Sequence, residues 1–297
     1  MKRNTITLLV VLVVLVLAAY LVMQKPGEQS SSGLGTALLQ IDSVAVDKLE
    51  IRSAKSQVVL EKRGADWYLK EPIDYKAEQA SVGTLIHDVK NLQVKNVVSS
   101  KPEKFPVFQV DPESGTFFTI YEHGVKKDSL IVGKMGSTYT EMYVRRLPSN
   151  DVDAVDASIL YQINRAAKEW RDKTIIKTPK ENIKEIKYQY GDTTFTLAYQ
   201  DSVWIIGNNV VKTEDVNGIL GWLSNLQSDD FIDTTMHPAP KITALVSYAD
   251  NQLRFCFLKQ QNKYAVQVSN SPQWFVVEPW KVTSILKRKK DLVKVAK

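Results

Sequence analysis

The hydrophobic pattern divides the chain into one long apolar block followed by two sets of short alternating runs. Lys2 and Arg3 precede a run from Ile6 to Met23 whose only polar members are Thr7 and Tyr20. At about 1.5 Å per residue, these eighteen residues make a helix roughly 27 Å long, close to the roughly 30 Å thickness of a bilayer's hydrocarbon. The run predicts a membrane anchor over residues 1–24, embedded through side chains such as Ile6, Leu12, Leu17 and Met23. A cleaved signal peptide begins the same way but needs small residues spaced for cleavage at its far end. Here Ala18 and Ala19 lead into Tyr20, Leu21, Val22 and Met23, which favours an uncleaved anchor. Two basic residues before the run and only Lys25 just after it favour a cytoplasmic N-terminus, so the rest is expected on the periplasmic side of the inner membrane. Residues 25–40 open with Lys25-Pro26-Gly27-Glu28-Gln29-Ser30-Ser31-Ser32-Gly33, which has almost nothing to bury and predicts a flexible tether reaching roughly 20 Å.

The alternating runs come twice. Asp47-Lys48-Leu49-Glu50-Ile51, Val58-Val59-Leu60 and Trp67-Tyr68-Leu69 recur at constant separation as Lys184-Glu185-Ile186-Lys187-Tyr188, Phe195-Thr196-Leu197 and Trp204-Ile205-Ile206. Each set leads into a helical pattern. Val82, Leu85, Ile86, Val89 and Leu92 are matched step for step by Val216, Ile219, Leu220, Leu223 and Leu226, one apolar face of a 3.6-residue period. Even the endings agree, as Asn91-Leu92-Gln93 and Asn225-Leu226-Gln227. Order, spacing and helix face together predict an internal duplication, with Trp67 and Trp204 as core aromatics over the two helices.

More strand patterns follow in each copy. The first shows them over 116–121, 128–132 and 141–145, then a short helix near 158–164; the second over 242–248, 252–258, 264–268 and 274–277, then a helix over 279–290. Turn pairs such as Gly191-Asp192, Asp250-Asn251 and Gln261-Asn262 predict antiparallel hairpins. Clustered strands with helices between the clusters predict an α+β class: two tandem pseudo-repeat lobes of mostly antiparallel sheet plus helices, after one transmembrane helix. The expected lobes are residues 41–173 and 174–297, joined near 173–180, the second ending in a basic helix.

Charge and chemistry alter this picture little. The net charge is +6, but residues 287–297 alone hold six basic side chains against Asp291, so no nucleic-acid surface spreads over the fold. The single cysteine, Cys256, sits in an apolar strand pattern and reads as a buried thiol; it also excludes lipid attachment beside the anchor. His87, His123 and His237 are scattered, with no pair at metal-ligand spacing, so no metal and no cofactor are expected. His87 reads as a solvated helix residue. Nucleophile-elbow, phosphate-loop and dinucleotide-loop patterns are absent. Gly133-Lys134-Met135-Gly136-Ser137 resembles a phosphate loop only superficially and reads as a turn. Asp229-Asp230 and the set Asp151, Asp153 and Asp156 read as polar loop positions with no apolar pocket to raise a pKa.

Two segments remain as interaction candidates. Trp170, Arg171 and Asp172 combine residue types that either clamp lobes together or anchor a partner. The C-terminal run from Trp280 mixes Ile285, Leu286 and Leu292 with Lys287, Arg288, Lys289 and Lys290, a basic amphipathic pattern suited to anionic lipid or an acidic partner, or else a solvated last helix.

The anchor, Trp67-Tyr68-Leu69-Lys70-Glu71-Pro72, Asn91-Leu92-Gln93, Phe108-Gln109-Val110-Asp111, Ile131-Val132-Gly133-Lys134, Tyr143-Val144-Arg145 and Trp170-Arg171-Asp172-Lys173 resemble, in this order, domain of unknown function 4340. The segments at 108–111 and 170–173 look most like the version found in Bacteroidota. The resemblance implies an envelope protein associated with ABC-transporter permeases and gliding-motility-like auxiliary proteins, and carries over no catalytic residue. The expected function is a non-enzymatic, membrane-anchored accessory subunit whose partners are the bilayer and a membrane protein, an ABC-type permease or an auxiliary envelope protein. The alternatives are a glycan-binding module stacking sugars on Trp222, Trp274 or Trp280, and a hydrolase with a dispersed site.

Overall fold

The computed structural model describes residues 35–293 apart from Asp192 and residues 235–240. The run from Ile6 to Met23, with Leu12 and Leu17, and residues 25–34 of the expected tether fall outside these residues, whereas 35–40 are described and pack on the first unit, with Leu38 and Leu39 buried and Leu38 N donating to Leu92 O at 2.7 Å. Among the described residues, no helix is long and apolar enough to cross a membrane. The chain divides into two compact units between Trp170 and Arg171.

The first unit opens with a meander, β1 (Val46–Arg52), β2 (Gln57–Arg63), β3 (Asp66–Glu71) and the edge strand β4 (Tyr75–Lys76). Alternation sends Leu49, Ile51, Val58, Leu60, Trp67 and Leu69 to one face, where they are buried. Helix α1 (Gln79–Lys90) covers that face with Val82, Leu85, Ile86 and Val89. Its first turn is held by Glu78, whose carboxylate accepts from Ala80 N at 3.2 Å and Ser81 N at 2.6 Å. The chain continues through β5 (Asn96–Ser99), a short helix α2 (Phe105–Phe108), β6 (Thr116–Glu122), β7 (Val125–Met135), β8 (Glu141–Arg146), β9 (Val152–Asp156) and a last short helix α3 (Leu160–Ile163). The sheet runs β4-β3-β2-β1-β6-β7-β8-β9-β5, and every pairing is antiparallel. His123, at the β6–β7 hairpin, has φ 51° beside Gly124 at 74°, two consecutive left-handed residues in the tightest kind of hairpin turn.

The second unit begins with β10 (Thr174–Lys177) and then repeats the plan with β11 (Glu185–Tyr190), β12 (Thr193–Gln200), β13 (Val203–Ile206), β14 (Asn209–Val211), helix α4 (Thr213–Ser224), β15 (Asn225–Gln227), β16 (Asp230–Ile232), β17 (Ala244–Tyr248), β18 (Asn251–Leu258), β19 (Lys263–Val268) and β20 (Trp274–Val277). Its sheet order, β14-β13-β12-β11-β17-β18-β19-β20-β16, reproduces the first position by position. The five apolar residues predicted on each helical face, through Leu92 and Leu226, are all buried, as are Trp67 and Trp204. The agreement reaches the connections. Val94 N donates to Thr36 O at 3.0 Å in the first unit, and Ser228 N to Lys173 O at 2.8 Å in the second, each tying the segment that precedes the meander to the residues that follow the helix.

The end of the chain departs from the pattern. In place of one basic helix over 279–290 there are two short ones, α5 (Pro279–Ile285) and α6 (Lys289–Leu292), separated by Leu286 in an extended conformation (φ −77°, ψ 91°). The sheet causes the break: Tyr188 donates its hydroxyl to Ile285 O at 3.2 Å and Tyr190 to Lys287 O at 2.7 Å, satisfying carbonyls that helix termini leave open. A second correction concerns Gly133, Lys134 and Met135. They belong to strand β7 and not to a turn, which begins only after Gly136.

Candidate binding face of the second lobe

Helices α4, α5 and α6 cover the buried face of the second sheet, and their outer side carries the most exposed aromatic cluster of the second unit. Tyrosines fix the helices from below, Tyr248 donating to Leu223 O at 2.9 Å near the end of α4 just as Tyr188 and Tyr190 do at the end of α5. Burial holds all three hydroxyls protonated far above the usual tyrosine range. On the outer side Trp280 is 58% exposed and meets the half-buried Trp222 edge to face, with centroids 5.2 Å apart at 79°. A cleft of about 260 Å³ lies beside Trp222, lined by Asp215, Gly218 and Ile219 of α4 and by Ser284, Lys287, Asp291 and Leu292.

The basic turn frames this face. Lys287 is half-buried, whereas Arg288, Lys289 and Lys290 are exposed. The Arg288 guanidinium lies 3.8 Å from the centroid of the Tyr190 ring, and its backbone N–H donates to Asp291 Oδ2 at 2.9 Å, which caps α6. Leu292 is buried and pins the turn. The Lys281 ammonium pairs with Asp229 Oδ1 at 2.6 Å and lies 5.6 Å from the Trp280 ring centroid.

Trp170, Arg171 and Asp172 are interior or structural groups within their own units. Trp170 is fully buried in the main core of the first unit, with the Arg165 guanidinium 4.9 Å from its ring centroid, and its carbonyl accepts from Glu78 N at 2.8 Å. Arg171, 1% exposed, grips both oxygens of Asp233 at 2.7 and 2.9 Å, donates to Gln273 Oε1 at 3.1 Å and lies 3.7 Å from the Phe231 ring centroid. Asp172 Oδ1 accepts from Thr174 N at 2.9 Å and so starts β10.

Three of the sequence segments quoted for the family resemblance meet on the reverse face of the first sheet. Phe105, Val110, Ile131 and Val152 form a small core there, with Phe108 and Tyr143 against it. The Phe108 and Tyr143 rings are 4.8 Å apart at 66°. Arg145 is buried; its Nε donates to Val110 O at 3.1 Å, and its guanidinium lies 4.1 Å from the Phe105 centroid. Burial lowers the pKa of this guanidinium, and nearby Asp111 opposes the shift. Short spacing in sequence gave no sign of this convergence, because the partners are on α2, β7 and β8.

The carboxylates divide. Asp153 is not a loop residue: it sits in β9 opposite Val144 and Val97, 8% exposed, and burial reinforced by neighbouring Asp151 pushes its pKa up to about 6. The apolar residues around it, Val152, Ala154 and Val155, were the available signal. Asp229 is an ion-pair and backbone partner, accepting Glu278 N at 2.9 Å, and Asp230 begins β16. Cys256 is buried, and desolvation raises its thiol to about 11. His87 is exposed and contacts Asn91 at 3.0 Å. Among the described residues no group of three or more His, Cys, Asp or Glu side chains is placed to hold a metal ion.

Comparison with curated proteins and with solved structures returned no significant match. The family model described as Domain of unknown function (DUF4340) matches residues 67–244, from β3 of the first unit through its helix and closing strands to the first residue of β17 in the second. The chain is a member of the DUF4340 family.

Proposed function

We propose that this protein is a non-enzymatic, single-span accessory subunit of an envelope ABC-type transport or export assembly, whose second lobe binds a membrane-protein partner on the periplasmic side. The observation that carries the reading is Trp280, 58% exposed against Trp222 and framed by the exposed cations Arg288, Lys289 and Lys290. Tryptophan and arginine are among the side chains that most often dominate protein interfaces, tryptophan because it buries a large area with only two side-chain torsions to order and arginine because its planar fork makes several directed hydrogen bonds. Rigid support adds to this. The tyrosine hydroxyls at Ile285 and Lys287 hold the turn in one conformation before any partner arrives, which lowers the ordering cost of binding. The apolar run ahead of a Gly/Ser-rich tether supports presentation of this face close to the membrane.

Affinity purification of the detergent-solubilised full chain from its host tests the reading. A membrane protein is expected to co-elute, and to be lost when Trp280→Ala is combined with Lys289→Glu and Lys290→Glu. Elution of the chain alone contradicts the proposal.

A further inference from the structure

Helix α4 gives two of its twelve positions to glycine, Gly218 and Gly221. A glycine inside a helix costs about 1 kcal/mol relative to alanine, through the backbone freedom it loses on folding. Such a cost is ordinarily explained by a left-handed backbone or by a neighbour too close for a side chain. Neither holds here: both residues lie in regular helix, and a Cβ built on either one meets no atom within 4 Å. Packing within the protein therefore has no use for the missing side chains.

Gly218, unlike Gly221, opens onto the cleft. Gly218 forms part of its floor, Trp222 stands one turn later as an aromatic wall, and Asp215 one turn earlier as a carboxylate. Ser284, Lys287 and Asp291 complete a rim of hydroxyl, ammonium and carboxylate. A side chain at 218 would project into this space of about 260 Å³. The lining selects among ligands. A wholly apolar molecule would strip water from the carboxylates without replacing it, and a polyanion would face Asp215 and Asp291 at close range. A pyranose ring matches both halves, with an apolar C–H face for the indole and equatorial hydroxyls for the carboxylates and the ammonium.

We propose that the cleft between α4 and the α5–α6 turn is a carbohydrate subsite for one pyranose residue of a glycan, with Trp222 as the stacking platform and Asp215 and Asp291 as hydroxyl acceptors. One oxygen of Asp291 is already engaged by Arg288 N, which fixes the orientation of the carboxylate. The inference uses the cleft and shares only Trp222 with the partner reading, which rests on Trp280 and the exposed cations.

Titration of the full chain in detergent with soluble fragments of the host's cell-wall glycan and with maltotetraose, followed by tryptophan fluorescence and calorimetry, tests it. A saturable fluorescence change is expected with at least one of these probes. Gly218→Leu, which fills the floor from an open helix position, is expected to weaken that binding at least tenfold while melting at or above the parent temperature. Trp222→Ala is expected to weaken binding comparably by removing the platform, with some loss of melting temperature from its packing on Trp280, and Gly221→Ala, outside the cleft lining, to bind as the parent does. Absence of binding to every probe, or parent-like binding by Gly218→Leu, overturns the proposal. Co-purification of a membrane protein is unchanged by Gly218→Leu in either case, so failure here is distinct from failure of the partner reading.

Discussion

Arg145 Nε donates to the carbonyl of Val110 at 3.1 Å, joining β8 to a segment 35 residues earlier that crosses the reverse face of the first sheet. The same guanidinium reaches Ser149 O at 3.3 Å and covers the Phe105 ring, so one buried cation holds α2, the loop after it and the β8–β9 connection. Arg145→Met keeps much of the volume and removes the donors. It is expected to destabilise the protein by about 2 kcal/mol, the cost of leaving a buried carbonyl without a partner, read as a lower denaturant midpoint.

Gly133 is the position where that crossing segment lies closest. A Cβ at 133 would stand 2.2 Å from Phe108 O and 2.8 Å from Val110 Cγ1, and the first of these is backbone that cannot swing aside. Gly133→Ala is therefore expected to cost about 2 kcal/mol or more despite the better intrinsic propensity of alanine. The matched change Gly83→Ala, at a helix position with open space, is expected to be neutral or stabilising by up to about 1 kcal/mol. Thermal melts of the two variants make the comparison.

Asp153 makes stability depend on pH with a defined sign. Its folded-state pKa of about 6 lies above the unfolded carboxyl value of roughly 3.9. Below about pH 4 the group is protonated in both states and the burial penalty is absent. Stability is lost as the pH rises through about 6, where the folded chain must carry a buried charge. Asp153→Asn is expected to flatten this window and to add on the order of 2 kcal/mol at pH 7. Denaturation midpoints measured from pH 4 to pH 8 give the answer, and a slope unchanged by the substitution would assign the dependence to another group.

The tyrosine struts of the second lobe make a further prediction. Tyr248→Phe deletes the hydrogen bond from the Tyr248 hydroxyl to the end of α4, leaving Leu223 O buried with one partner fewer, and is expected to cost roughly 1–2 kcal/mol. Tyr161→Phe, on a residue 76% exposed, is expected to change stability by less than about 0.5 kcal/mol.

The sequence disclosed the repeated framework because its signals are periodic. Leu49, Ile51, Leu60 and Leu69 alternate, Val82 through Leu92 follow a helical step, and the second copy repeats both. Edge strands escaped because two to four residues such as Tyr75–Lys76 or Asn96–Ser99 contain no period to read. The break at Leu286 escaped for another reason: residues 279–290 are helical by local pattern, and the hydrogen bonds that end the helix come from Tyr188 and Tyr190, almost a hundred residues away. Asp153 looked like a loop residue because its neighbour Asp151 is polar, whereas pairing with Val144 and Val97 places it inside the sheet. The binding face was half legible. Trp222 and Trp280 were visible as candidates, but their contact, and the cleft that Gly218 leaves open, required the packing of three helices.

Site-specific photocrosslinking in host membranes tests the central claim most directly. With the photoreactive residue at position 280 of the full chain, the account predicts a discrete crosslink to a membrane protein, and with the same residue at position 139, where Tyr139 is 79% exposed in the first unit, little or none. No adduct at 280, or equal adducts at both positions, would contradict it.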